Sequence, residues 1–143
     1  MATRSELKET VDPVADLDNA VLDAAAELAG EGRRPTGARL SRPPKPDFGD
    51  YSSNAPMLLA PLMGEPPRAV AEKLGALVTE RLGADLERVE VAGPGFLNLF
   101  MSDAWFRQAL TSTGRAGDEF SRGQPAVREN ILVEFVSANP TGP

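Results

Sequence analysis

The sequence predicts an α+β domain: a small, largely antiparallel sheet with helices packed on one face. Two patterns point to it. In two segments apolar residues recur at three- and four-residue steps, the stripe of a half-buried helix. Between Leu86 and Ser102 the residues instead alternate about a tight Gly93-Pro94-Gly95 turn, as in a hairpin.

In chain order, the first stripe is Val14, Leu17, Val21, Leu22, Ala25 and Leu28. Asp12 before Pro13 supplies a cap and a first-turn residue, and Gly30 and Gly32 end the helix. Arg39 to Pro43 suits a short edge strand, where proline is tolerated. Asn54 is placed to cap a second helix, which Pro61 kinks or ends by removing a backbone donor. A third helix starts at Pro66-Pro67, carries Val70, Leu74, Leu77, Val78 and Leu82 on one face, and ends at Gly83. The hairpin strands are Leu86 to Ala92 and Phe96 to Ser102. Asp103 caps a short helix with Trp105, Phe106 and Leu110, which Gly114 ends. Gly114 to Glu129 reads as a mobile connection, and Ile131 to Val136 as a last strand.

Composition excludes several functions. With 143 residues, 41% of them hydrophobic, the chain suits one compact domain. It has no secretory leader and no apolar run of membrane-spanning length, so a cytoplasmic protein without a membrane partner is expected. Without cysteine or histidine it lacks disulfides, thiolate metal sites and the commonest general base, so no metal site is expected. A net charge of −6 opposes bulk adhesion to nucleic acid, and any RNA contact must be local. One local run exists: Arg33, Arg34, Arg39, Arg42 and Lys45 stand with no acidic residue among them. It fits either a solvated Pro-rich loop or a phosphate-facing surface.

In the second hairpin strand Leu97, Leu99 and Met101 share one face, and Phe96, Asn98 and Phe100 share the other. The aliphatic set is the natural core. The other set places an amide between two aromatics, which matches how unpaired bases are stacked and hydrogen-bonded by RNA-binding sheets. A strand buried on both faces, with Asn98 bonded to a loop, fits the pattern as well. At the end of the chain, Glu134, Ser137 and Asn139 fall within six positions where a strand meets an Asn-Pro turn. Asp50, Tyr51 and Asn54 have no base or nucleophile beside them in sequence, and Asp50 and Asn54 read as structural.

Three stretches carry a family resemblance. The run from Glu134 through Phe135-Val136-Ser137-Ala138-Asn139 to Pro143 resembles the segment that leads into the His-x-Gly-His signature of arginyl-tRNA synthetases, which are class I enzymes. Phe48-Gly49-Asp50-Tyr51-Ser52-Ser53-Asn54 is similar to the Gly-Asp-Tyr-x-x-Asn stretch of their N-terminal domain, and Gly93-Pro94-Gly95-Phe96-Leu97-Asn98 to its Gly-Pro-Gly-Phe-x-Asn turn and strand. Together, in the family's order, they span Phe48 to Pro143. Phe48 stands where the family commonly has histidine, and Pro56 and Pro61 interrupt a stretch that is usually a clean helix.

The resemblance implies an N-terminal tRNA-binding domain over residues 1–128, followed at 129–143 by the first strand and turn of a catalytic domain. In the parent enzyme Glu134 would accept the arginine guanidinium, while Ser137 and Asn139 would help hold the backbone end of that amino acid. Phe96, Asn98 and Phe100 would meet the tRNA D-loop, with Arg39, Arg42 and Tyr51 as further tRNA contacts. The partners implied are tRNA for arginine and, in the full enzyme, arginine and ATP. No cofactor is expected in this chain, ATP and magnesium serving the parent, and the chain is expected to be monomeric. The alternative is a freestanding RNA-binding or regulatory module derived from that domain, which a stop codon directly after Pro143 would favour. A plain structural domain would require Phe96, Asn98 and Phe100 to be fully buried.

Lacking the His-x-Gly-His signature, the 143-residue chain is expected to show no ATP–pyrophosphate exchange with arginine. Exchange above an enzyme-free blank that disappears in Glu134→Ala would contradict this.

Overall fold

Asp12 starts the first helix, α1 (Pro13–Ala29), by accepting at Oδ1 from the backbone N–H groups of Val14 and Ala15 at 3.0 Å each. This satisfies two donors that have no partner inside the helix. The computed structural model describes residues 12–30, 35–120 and 132–133. On α1 the buried residues are Leu17, Val21, Ala24 and Ala25, while Val14 at the helix start is exposed. The chain then forms a two-residue edge strand, β1 (Leu40–Ser41), within the predicted Arg39 to Pro43. Asp18 of α1 holds β1 in place by accepting from the Leu40 N–H at 3.1 Å.

A 3-10 turn at Pro46–Phe48 leads into β2 (Tyr51–Ser53) and α2 (Ala55–Met63). Two expectations are corrected at α2. Asn54 stands at the cap position but does not cap, because its Oδ1 accepts from the Arg39 N–H at 3.0 Å; the Ser53 hydroxyl takes the Ala55 N–H instead. Of the kink or stop expected at Pro61, the stop does not occur, since the helix runs on to Met63 and stops at Gly64. α3 (Pro67–Leu82) follows, with Val70, Ala71, Leu74 and Val78 buried, close to the expected stripe.

β3 (Leu86–Ala92) and β4 (Phe96–Met101) form the predicted hairpin, with Ala92 opposite Phe96 and Val89 opposite Leu99. The sheet order is β1-β2-β4-β3 and every pairing is antiparallel. The last described helix, α4 (Asp103–Ala116), is capped by Ser102, whose hydroxyl accepts from the Trp105 N–H at 3.3 Å, and not by Asp103. It passes through Gly114 to Gly117, so the expected mobile connection begins with helix and a further 3-10 turn. The last strand expected at Ile131 to Val136 lies outside the described residues except for Leu132 and Val133, which are not in a strand.

The fold class is therefore as expected, α+β with an antiparallel sheet. Leu97, Leu99 and Met101 of β4, with Tyr51 of β2, face the core built by α1, α2 and α3, and Trp105 of α4 closes one end. Trp105 meets Tyr51 edge-on, with centroids 5.8 Å apart and planes at 75°.

Two glycines are required where the backbone passes close to its neighbours. Gly95, in the hairpin turn, has φ +150° and lies so near Pro67 of α3 that an added Cβ would sit 2.8 Å from the proline Cβ. Gly49 has φ 92° and ψ −174°, a region essentially reserved for glycine. There an added Cβ would come within 2.6 Å of the Leu99 carbonyl oxygen and 3.3 Å of the Phe100 ring. This close approach lets Asp50 grip β4, donating its N–H to the Leu99 carbonyl at 2.9 Å and accepting the Met101 N–H at Oδ2 at 2.8 Å.

Gly49→Ala should cost at least about 1–3 kcal/mol from backbone strain alone, read as a lower urea midpoint. A midpoint equal to that of the unsubstituted chain would contradict this account.

Candidate nucleic-acid interface

Among the described residues the sheet has one face without a helix, and its composition follows from the register. Ser41, Ser52, Asn98 and Glu90 form one row across all four strands, since Ser41 pairs with Ser52, Ser52 with Asn98 and Asn98 with Glu90. Phe96 lies beside Ala92 on one side of this row, and Phe100 beside Arg88 on the other. This face is not flat. The segment after β1, with Arg42, Pro43, Pro44 and Phe48, folds over part of it and encloses a hollow of about 420 Å³. Ser41, Ser52, Phe96 and Asn98 line the hollow from the sheet side.

Asn98 is only 3% exposed although it lies on the face away from the helices. Among the described residues its amide makes no hydrogen bond, yet no fully buried side-chain nitrogen or oxygen lacks a partner. The amide therefore keeps its contact with solvent through the hollow that it lines. A ligand offering both a donor and an acceptor at this depth would pair with an amide that the protein itself leaves to solvent. Around it the rim is aromatic and apolar, with Phe96 39% and Phe48 42% exposed. An apolar rim over a single amide suits a flat heteroaromatic group.

Phe100 lies on the expected face, opposite Arg88. The Arg88 guanidinium carbon lies over the ring, 3.6 Å from its centroid, in a cation–π contact. Arg88 donates from Nε to Glu90 and from Nη1 to Glu87, both at 2.9 Å. The Glu90 hydrogen bond, and then the charges of both glutamates, raise its pKa above the ordinary value. Arg88 was not singled out in the sequence, although its position opposite Phe100 follows from the hairpin register.

The remaining predicted residues divide. Arg42 is exposed and lines the hollow, whereas Arg39 is exposed just before β1 and does not line it. Tyr51, expected as a tRNA contact, is 6% exposed with its ring edge-on to Trp105, and it lines a separate depression with Arg42 and Phe106. Arg33, Arg34, Glu134, Ser137 and Asn139 lie outside the described residues. Sequence reasoning missed Phe48 as part of the rim; its signal was the position directly before Gly49-Asp50-Tyr51 in a recognised stretch. Among the described residues no cluster of three acidic, histidine or cysteine side chains could hold a metal ion. No described helix is long and apolar enough to cross a membrane.

Residues 15–101 match the family described as the arginyl tRNA synthetase N terminal domain, and the chain belongs to that family. It is similar to the arginine–tRNA ligase of Cereibacter sphaeroides, with 45% identity over 119 residues, 78% of this chain and 20% of that protein. The ligase of Shouchella clausii is 38% identical over 82% of this chain and 21% of its own length. That of Salinibacter ruber is 37% identical over 86% and 21%. The chain thus spans about a fifth of the length of the curated relatives it matches.

As a core residue, Tyr51 should tolerate loss of its hydroxyl but not of its ring. Tyr51→Ala is expected to cost about 3–5 kcal/mol, as for other buried aromatics, and Tyr51→Phe little, measured by urea denaturation. Equal stability of Tyr51→Ala and the parent sequence would return Tyr51 to the surface.

Proposed function

We propose that this chain is the N-terminal part of an arginine–tRNA ligase and that residues 1–128 recognise the tRNA D-loop at the elbow. The observation that carries this reading is the partnerless amide of Asn98, deep in a hollow rimmed by Phe96 and Phe48. An unpaired base stacked on Phe96 would bring its hydrogen-bonding edge to that amide. Arg42, at the edge of the hollow, and Arg39, further along the same segment, would meet phosphates.

On the same reading residues 129–143 begin the catalytic domain of the parent enzyme, where Glu134, Ser137 and Asn139 would bind arginine. The parent would esterify arginine to its tRNA in the cytoplasm, with ATP and magnesium held by the rest of the protein. The part described here would grip the tRNA and carry no chemistry.

Binding of an unmodified arginine tRNA transcript, with circular dichroism as a check on folding, tests the proposal. Loss of one stacked aromatic costs about 1–3 kcal/mol in comparable sites, so Phe96→Ala should weaken binding about tenfold, and Asn98→Ala should also weaken it. Arg42→Ala or Arg39→Ala should instead lower the slope of log affinity against log salt by about one. Unchanged affinity in folded Phe96→Ala and Asn98→Ala would remove the hollow as the tRNA site.

A further inference from the structure

The Arg88–Phe100 pair lies beside the hollow and is not part of it. Arg88 is opposite Phe100, two residues along β4 from Asn98, a separation of about 7 Å at the usual strand rise. Its side chain remains about half exposed, at 48%. The exposed arginine has three sides that a ligand could use: its N–H edge, the ring-covered face and the free face. Glu90 and Glu87 take up Nε and Nη1 of the edge. Phe100 takes one face. Nη2 makes no hydrogen bond among the described residues, so part of the edge stays available, and the face turned away from the ring is the one that Phe100 does not cover.

The charge arrangement decides what would stack there. Two carboxylates within 2.9 Å of one guanidinium leave a locally negative group, which repels a phosphate. A neutral planar heterocycle is not repelled, and guanidinium planes are common stacking surfaces for unpaired bases. Phe100 beneath and the two glutamates at the sides hold the plane in position before any ligand arrives, so little side-chain freedom remains to be lost on binding.

We infer that the Arg88 guanidinium, seated on Phe100 and clamped by Glu87 and Glu90, is a second base-stacking platform that takes a nucleotide neighbouring the one read at Asn98. The inference rests on the proposed tRNA-binding function and adds a second contact to it. Phe100 then serves as the pedestal for the contact and does not meet the base itself. The sheet grips two unpaired nucleotides: one inserted into the hollow and read at its edge, the other laid flat and held without base discrimination.

Two substitutions separate stacking from phosphate binding. Arg88→Lys keeps the charge and the ion pairs but has no plane, and Arg88→Ala removes both. In titrations of the 143-residue chain with the arginine tRNA transcript, both should weaken binding roughly fivefold or more, the lower end for a stacked base, with the salt slope unchanged. Recovery of affinity in Arg88→Lys, with a slope lowered by about one in Arg88→Ala, would mean a phosphate contact and overturn the platform. Weakening by Asn98→Ala without change in either Arg88 variant would also overturn it while leaving the hollow as the tRNA site. No change in any of the three would overturn both readings. In the unsubstituted chain, the Arg88 Nε proton resonance should move upfield at saturating transcript, from the ring current of the stacked base. Its failure to move would sink the platform even if a variant failed to fold.

Discussion

Because Gly93-Pro94-Gly95 closes the β3–β4 hairpin with Ala92 opposite Phe96, every later pair is fixed as far as Arg88 and Phe100. A slip of one residue would turn Leu97 and Leu99 out of the core and drive Asn98 into it. The turn can be this tight only because Gly95 has no side chain to collide with Pro67 at the start of α3. One contact between a turn and a helix thus holds the hairpin register, the core face of β4 and the layout of the opposite face.

A second constraint acts at the other end of β4. Asp50 binds the strand at two points, from a backbone brought close by Gly49. The segment from Arg42 to Phe48 is thereby led over the outer face instead of away from it, and a flat sheet face becomes a hollow. Apolar burial stabilises the inner face, while the outer face keeps a polar row, one of whose inner members, Asn98, is nearly buried and makes no side-chain hydrogen bond among the described residues. Leu97 and Leu99, on either side of Asn98 in the strand, are fully buried.

Electrostatics agrees with this division. At net −6 the chain cannot hold a polyanion by overall charge. The proposed surface relies on flat apolar and π contacts, with a few cations at its edge, and its most prominent cation, Arg88, is already neutralised by Glu87 and Glu90. A surface of this kind would prefer exposed bases to a duplex backbone, in keeping with the proposed loop ligand.

The sequence by itself determined the helices, the hairpin strands, the assignment of Leu97, Leu99 and Met101 to the core, and the family, since these depend on local periodicity and on contiguous motifs. Even the Arg88–Phe100 pairing was implicit in a three-residue turn. Only the tertiary structure decided what covers each side chain. Tyr51 and Asn98 occupy neighbouring strands and both are buried, yet one is packed under Trp105 and the other opens into a hollow. Asn54 looked like a cap and instead holds the backbone of Arg39. Each difference arises from residues distant in sequence: Trp105 for Tyr51, the segment from Arg42 to Phe48 for Asn98, and Arg39 for Asn54. Local pattern fixes which way a side chain points, and only the packed chain fixes what it meets there.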